Sequence, residues 1–331
     1  MISKYLDFLK SEAFLLPLGI PSGTDLEFTV LGQGEYNLNY VFDHPVTNKK
    51  LVLRINTGSQ MHLDDQIGYE YGALQALASS GRTPKPLYCW PEQKMLVMEW
   101  LPGRALQYET DLPIAAQILA DIHSTPVPAD CGLQRPDYPA RAIYEECLQM
   151  VQHYLDWEEA DPEVCGLLQL LVTEIGFLPL REESDAPLCM VNTELNSGNF
   201  LIDGGNSHLV DWEKPLLSEP AQDLGHFLAP TTTFWKTDVI LTPQQVKAFA
   251  ETYVAAVNGR MDCSTLAKRL PLYFTVTCLR GVTWCAMAYR EYCQPGRRLR
   301  NEDTFGKLRA YLEPAFLRNI LENYVRKDFL A

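Results

Sequence analysis

The feature that most constrains the fold of this chain is a change in hydrophobic period near residues 101–106. Before it, short runs rich in β-branched and aromatic residues predict strands at 28–32, 40–44, 51–56, 86–90 and 95–100. One helical stretch, about 62–80, interrupts them. After Leu-Pro-Gly-Arg-Ala-Leu, helical spacing predicts helices at 112–124, 138–158, 162–178, 243–257, 264–294 and 302–325. The pattern therefore predicts an α+β chain in which a small sheet with one helix precedes a larger helical region.

The length of the chain fits one large domain or two lobes. It has 331 residues, of which 47% are hydrophobic, and this is ample for a sizeable core. We expect an N-terminal lobe at 1–100, a linker at 101–106 and a helical lobe at 107–331. Inside the helical lobe, two short β runs flank Gly204-Gly205-Asn206 and predict a hairpin.

Charge and cysteine content indicate which partners and which cellular compartment to expect. The net charge is −14 and the only dense basic run lies at 296–300, which argues against a nucleic-acid partner. No stretch approaches the roughly 18 uncharged apolar residues of a membrane helix, so no membrane partner is expected. The nine cysteines include no C-x-x-C pair and indicate free thiols in a reducing compartment. We therefore expect a cytoplasmic protein.

A glycine-containing turn and the strand that follows it form the first candidate site. The segment Leu-Gly-Gln-Gly-Glu-Tyr-Asn at 31–37 would let backbone amides approach phosphate oxygens, although an ordinary β-turn is the alternative. In the strand at 51–56, alternation places Arg54 on the same face as Val52. An arginine within an apolar strand requires an anion. Glu70 on the following helix can supply it, either beside bound phosphate or in a structural ion pair.

The apolar run at 95–100 leads into the segment where the hydrophobic period changes. A flat adenine could insert there, and backbone groups near Glu99 and Leu101 could bind its edge. Any strand between two domains would have a similar sequence, so the interpretation stays open at this point.

Three oxygen-bearing residues, Glu194, Asn199 and Asp211, form the next group. Gly198 precedes Asn199, and the predicted hairpin returns Asp211 to its side. Mg²⁺ prefers a few protein oxygens together with phosphate and water, which fits this set. Taken separately, Asn199 could be a turn residue, and Asp211 a helix cap or a surface acid.

The order of these features resembles the aminoglycoside phosphotransferase and choline kinase superfamily, which has a bilobal protein-kinase-like fold. The resemblance covers about residues 28–230. Its motifs are the glycine-containing hairpin, the basic strand residue, the helix glutamate, L-x-x-G-N-x-L at 195–201, V-D-W-E at 210–213, Leu-Ala-Asp-Ile-His at 119–123 and Glu-Pro-Ala-Gln-Asp-Leu at 219–224.

The resemblance implies an ATP-dependent phosphotransferase that acts on a hydroxyl group of a small molecule, with ATP and Mg²⁺ as cofactors. For the nucleotide it implies contacts from Gly32, Gly34, Asn37, Val52, Arg54, Glu70, Glu99 and Leu101. For the metal it implies Asn199 and Asp211. Glu194 would orient the acceptor hydroxyl and take its proton, Asp223 would brace the catalytic loop, and His123 would be a buried packing residue.

Two positions depart from the pattern of the superfamily. In place of the usual His-Gly-Asp, this sequence has Asn192-Thr193-Glu194, so the carboxylate at the catalytic position is one methylene longer. At the phosphate-binding position of the superfamily, Arg54 has a planar guanidinium where the family has the compact ammonium of a lysine. Phosphoryl transfer depends mainly on positioning and charge neutralisation, so a longer carboxylate can serve. The alternative is a catalytically silent, pseudokinase-like nucleotide-binding module with a protein partner. A protein kinase is disfavoured because little sequence separates Asp211 from Glu219-Pro220.

An aromatic stretch near the C-terminal end has two interpretations. Trp284, Tyr289 and Tyr292 lie within Arg-Gly-Val-Thr-Trp-Cys-Ala-Met-Ala-Tyr-Arg-Glu-Tyr at 280–292. The stretch is compatible with an aromatic site for a cationic acceptor and with a stripe of helix core.

Overall fold

The computed structural model describes residues 2–33, 36–59, 61–294 and 302–327. Gly34 of the predicted phosphate-binding turn and the basic run at 296–300 lie outside these residues. The chain divides into two compact units. The first contains 1–105, 125–133 and 200–215, and the second contains 106–124, 134–199 and 216–331.

The first unit is built on a five-stranded antiparallel sheet with the order β1-β2-β3-β5-β4. Its strands are β1 (Thr29–Gln33), β2 (Asn37–Asp43), β3 (Lys50–Asn56), β4 (Pro86–Trp90) and β5 (Met95–Glu99), and its helices are α1 (Leu6–Leu9), α2 (Glu12–Leu15) and α3 (Gln66–Leu77). The five strands occupy the predicted regions. At the edge, β1 carries Val30 and Leu31 exposed, and its register with β2 shifts between Val30 and Gly32.

The two faces of β3 separate as the alternation predicts. Leu51, Leu53 and Ile55 belong to an apolar core that also contains residues of α1, α2 and the neighbouring strands. Val52 and Arg54 lie on the opposite face, and there Arg54 meets a side chain of α3. One face of the sheet therefore provides the core, and the other provides a charged site.

The predicted hairpin also belongs to the first unit. Strand β8 (Phe200–Ile202) pairs with β9 (His208–Leu209), and the turn between them contains Gly204–Asn206. The short strand β6 (Arg104–Ala105) pairs with the other edge of β8. Leu209 donates its backbone N–H to Arg82, so the hairpin is anchored near the end of α3.

The second unit is mainly helical. Its helices are α4 (Leu112–His123), α5 (Pro139–Leu155), α6 (Pro162–Gly176), α7 (Pro220–Leu228), α8 (Pro230–Lys236), α9 (Pro243–Val257), α10 (Leu266–Cys293), α11 (Glu302–Leu312) and α12 (Pro314–Ile320), followed by a π-helical turn at Leu321–Val325. Helix α10 packs against α5 and α7. The strands β7 (Cys189–Val191) and β10 (Leu216–Ser218) form a two-stranded sheet next to Asn192-Thr193-Glu194, the predicted catalytic-loop sequence.

Two glycines let helices of the second unit approach closely. A Cβ atom on Gly225 of α7 would lie 2.7 Å from backbone atoms of Tyr273 and Phe274 in α10. A Cβ atom on Gly281 of α10 would overlap the side chain of Thr231 in α8. The absence of side chains at these two positions therefore sets the distance of α10 from α7 and α8.

The cysteines agree with an expectation from composition. All nine cysteines are free thiols, as predicted. Among the residues that the structure describes, no helix combines the length and the apolar character needed to cross a membrane.

Candidate active site

Arg54 is the centre of a charged cluster in the first unit. It lies on β3 with only 6% of its surface exposed. Its Nη1 atom donates to Oε1 of Glu70 at 2.6 Å and to Oδ1 of Asp211 at 3.2 Å, and its Nε atom donates to Oδ1 of Asn39 at 3.0 Å. The fold thus places Arg54 against Glu70, the anion that the sequence offers for it, and also against Asp211, which the sequence places in a separate group.

The charges in this cluster depend on one another. Burial lowers the pKa of Arg54, but the carboxylates of Glu70, Asp211 and Glu213 outweigh that effect and raise its pKa above the usual value. The pKa of Glu70 is raised, chiefly by burial, while Arg54 opposes the shift and Asp211 adds to it. Among the described residues, Oε2 of Glu70 has no hydrogen-bond partner. The buried carboxylate of Glu70 therefore depends on Arg54 for its compensation.

The chain around Asp211 is held by contacts that the sequence does not reveal. Asp211 has a left-handed backbone conformation with φ of 67°. Asn37 donates its side-chain amide to Glu213, and Gln66 donates to the backbone carbonyl of Glu213 at 2.6 Å. Asn56 in turn donates to Asn37 at 3.0 Å. The side chain of Asn37 thus fixes the segment that carries Asp211, and its phosphate-binding role stays a prediction.

The other predicted nucleotide-binding residues lie along the same sheet. Gly32 pairs with Asn39 directly after the irregularity in β1. Val52 is buried beside Arg54 on β3. Glu99 ends β5 and donates its backbone N–H to Lys85 at 2.9 Å, and Leu101 follows it as a half-buried residue. Their contacts with a nucleotide stay predictions.

In the second unit, Asp223 holds the start of the catalytic-loop sequence. Its Oδ2 atom accepts the backbone N–H of Asn192 at 2.8 Å, and its Oδ1 atom accepts that of Thr193 at 3.0 Å. Asp223 therefore makes the bracing contact that the sequence predicts. Thr193 occupies the place of the superfamily's glycine and has a φ of 66°, which is strained for a β-branched residue.

His123 lies behind this brace. It is 2% exposed, and its two ring nitrogens lie 2.9 Å from the hydroxyl of Tyr253 and 3.3 Å from Oδ2 of Asp223. His123 is therefore a buried structural residue, as predicted.

Glu194, the predicted base, is held by an arginine that the prediction did not include. Arg280 of α10 donates from Nη2 to Oε1 of Glu194 at 3.1 Å and from Nε to Oε2 of Glu146 at 3.2 Å. Burial lowers the pKa of Arg280, but Glu194 and Glu146 outweigh it and raise the pKa above its usual value. A charged residue inside the apolar sequence around Arg280 was the available signal, because such a residue needs a buried partner.

Asn199 closes the same loop. Its Nδ2 atom donates to the backbone carbonyl of Glu194 at 2.8 Å, so Oδ1 is the acceptor atom of this side chain. Asp211, in the first unit, carries a carboxylate, and the metal-binding roles of Asn199 and Asp211 stay predictions. These atoms fit the preference of Mg²⁺ for oxygen ligands.

The aromatic stretch of α10 packs within the second unit. Trp284 contacts Trp235 edge to face, with ring centroids 5.1 Å apart, and Tyr289 stacks on Phe305 at 5.4 Å. Tyr292 also stacks on Phe305 at 6.0 Å. These half-buried rings contact one another, which favours the core interpretation over a cation site.

Solved structures with similar folds include kinases of small molecules. A structure of amicoumacin kinase hAmiN with AMP-PNP, Ca²⁺ and Ami has a TM-score of 0.60, with 15% sequence identity over 96% of each chain. A choline/ethanolamine kinase family protein from Mesorhizobium loti has a TM-score of 0.58, with 18% identity over 97% of this chain and 98% of that chain. An ethanolamine kinase from Plasmodium vivax has a TM-score of 0.59, with 15% identity over 89% of this chain and 83% of that chain.

These similarities confirm the predicted α+β, protein-kinase-like fold. At such low identity they show the fold alone. A search of curated proteins found no match. The sequence profile described as "Phosphotransferase enzyme family" matches residues 27–262, which is most of the chain. The chain therefore belongs to the phosphotransferase enzyme family.

Proposed function

We propose that this protein transfers the terminal phosphoryl group of ATP to a hydroxyl group of a small molecule. The observation that carries the proposal is the contact of Arg54 with both Glu70 and Asp211. In this contact the cation of Arg54 on β3 meets the carboxylates of Glu70 on α3 and of Asp211. These are the positions at which the family resemblance implies phosphate and metal binding. Membership of the phosphotransferase family supports the same reaction class.

In the first unit, Arg54 would bind phosphate oxygens while Glu70 fixes the orientation of its guanidinium. Gly32 and Gly34 would bring backbone amides to the phosphates, with Asn37 anchoring the chain beside them. Val52, Glu99 and Leu101 would contact the adenosine part. Asp211 would be a ligand of Mg²⁺, which, when bound, neutralises charge on the phosphates.

In the second unit, Asn199 would supply its amide oxygen to the metal, and Glu194 would act as the general base. The acceptor oxygen forms a bond to the terminal phosphorus as the bond from that phosphorus to the bridging oxygen breaks. ADP leaves with the bridging oxygen, and the hydroxyl proton passes to Glu194. Asp223 keeps the loop in place during this transfer through its two backbone hydrogen bonds.

The nine free cysteines support a reducing, cytoplasmic location for this reaction. The principal alternative is a catalytically silent nucleotide-binding module that acts on a protein partner. Phosphate transfer in a single turnover separates the two.

The test is a screen of amino alcohols, amino sugars and other hydroxyl metabolites for ATP-dependent phosphorylation, read by mass spectrometry. With an acceptor in hand, Glu194→Gln should lower kcat by roughly 100- to 10,000-fold, the range of general-base catalysis. Affinity for ATP with Mg²⁺ should stay nearly constant, because the substitution removes only a charge. The catalytic proposal fails if wild type and Glu194→Gln bind ATP alike and neither phosphorylates an acceptor or water.

A further inference from the structure

Helix α10 carries two arginines on one face, Arg269 and Arg280, and each contacts a glutamate outside this helix. Arg269 and Arg280 are about three helical turns apart, so their side chains point in similar directions. Arg269 donates to both carboxylate oxygens of Glu219, the residue directly before α7. Arg280 donates to Glu194 in the loop itself. A single helix thus contacts both the start of α7 and the predicted base.

The position of α10 relative to this loop is fixed by packing. Gly225 allows α7 to approach α10 closely, and Gly281 does the same for α8 at the residue next to Arg280. Asp223, on α7, holds the backbone of Asn192 and Thr193. The loop backbone is therefore held by α7, which packs closely on α10, and Glu194 is contacted by Arg280 of α10 itself.

A glutamate needs such a contact more than an aspartate does. It has one more rotatable bond, so fixing its carboxylate costs more side-chain entropy. A misplacement of about 1 Å at a reacting group can lower the rate on the order of 100-fold. The guanidinium is planar and itself held by Glu146 on α5, so it restrains the carboxylate in direction as well as in distance.

Building on the proposed function, we propose that Arg280 is a positioning residue that holds the Glu194 carboxylate for proton transfer, and that Glu146 holds Arg280. The pair adapts the site to the longer carboxylate of the Asn192-Thr193-Glu194 sequence. Arg280 acts through Glu194 and takes no proton itself.

Arg280→Ala should lower kcat about 10- to 100-fold, with the KM for ATP unchanged. Arg280→Lys, which keeps the charge but not the fork, should recover part of that loss, and Glu146→Gln should give a smaller decrease. In a Glu194→Gln background, Arg280→Ala should change kcat by less than about threefold, because the carboxylate that it positions is already gone. The matched control is Arg290→Ala, since Arg290 lies on the same helix and donates to His153 of α5.

Hydrogen exchange gives a readout that does not depend on activity. Arg280→Ala should speed exchange of the amides at 194–198 while exchange in α5, α7 and α10 stays as in wild type. The Arg290→Ala control should leave the loop unchanged. If the wild type phosphorylates no acceptor, the proposed reaction is wrong. Hydrogen exchange of the amides at 194–198 then tests by itself whether Arg280 positions Glu194.

Two outcomes would overturn the inference. One is a kcat within about twofold of wild type together with unchanged loop exchange. The other is a loss of activity accompanied by faster exchange throughout the second unit, because Arg280 would then be a general structural residue.

Discussion

Arg54 is the residue on which the charge balance of the first unit depends. It compensates Glu70, which is 1% exposed. Removing one partner of a buried ion pair costs about 3–5 kcal/mol because the other charge stays buried. We therefore expect Arg54→Ala to lower the free energy of unfolding by about that amount and to weaken ATP binding, as measured by chemical denaturation and calorimetry.

The double variant Arg54→Met/Glu70→Leu separates stability from binding. Apolar side chains of similar size remove both charges, so the free energy of unfolding should return close to that of wild type. ATP affinity should stay low because the cation that we propose to bind phosphate is missing. A double variant that binds ATP as tightly as wild type would show that the Arg54–Glu70 pair is purely structural.

Thr193 stores strain at the catalytic loop. Its left-handed backbone costs about 1–3 kcal/mol for a residue other than glycine. We expect Thr193→Gly to raise the free energy of unfolding by about 1 kcal/mol, measured in denaturant. Thr252→Gly is the matched control: it lies inside α9 and should lower stability, because glycine has a lower helix propensity than threonine. Equal losses in the two variants would mean that Thr193 is not strained.

At the residue scale, sequence patterns identified the candidate functional residues better than they identified the side chains that these residues contact. The period of β3 places Arg54 opposite the core residues, and this predicted its need for an anion. The contacts of Glu194 with Arg280 and of Glu213 with Asn37 join residues 86 and 176 positions apart. Local periodicity contains no information about such distances, so these partners emerged only from the fold.

At the scale of elements, the close packing of α7 and α8 against α10 depends on two glycines, Gly225 and Gly281, which have no side chain. Gly225→Ala would force a methyl group against the backbone of α10, and overpacking of this kind costs about 1–3 kcal/mol. We expect the same direction for Gly281→Ala, measured as a fall in Tm. Gly166→Ala in α6 is the control, because no atom lies within 4 Å of its new methyl group. It should raise stability slightly through better helix propensity.

Elements with strong local signals were predicted well. Helix α9 occupies the predicted range because Thr242 and Gln245 form a capping box, with Pro243 at the first helical position. The predicted helix at 302–325 was wrong in its continuity: Pro314 lacks an N–H group, and α11 ends before it. Strands β7 and β10 were missed because three residues are too few for a periodic signal and their pairing is long-range.

At the scale of the whole molecule, nucleotide binding should depend on the metal. At the site that we propose for the phosphates, the guanidinium of Arg54 faces the carboxylates of Glu70, Asp211 and Glu213. This excess of negative charge opposes ATP until Mg²⁺ compensates it. We expect ATP with Mg²⁺ to raise Tm and ATP with EDTA to raise it little, because ligand binding to the folded state stabilises it by mass action. Asp211→Asn should reduce this difference, and equal Tm values in Mg²⁺ and EDTA would contradict the metal assignment.

The irregular register of β1 has a consequence for the behaviour of the protein at high concentration. β1 forms one edge of the five-stranded sheet and carries exposed Val30 and Leu31. A flat apolar edge strand offers a template on which a second copy can add a strand and begin to aggregate. The shift between Val30 and Gly32 interrupts the regular row of backbone donors and acceptors at this place. The bulge therefore protects the chain from edge-to-edge association without burying its apolar side chains.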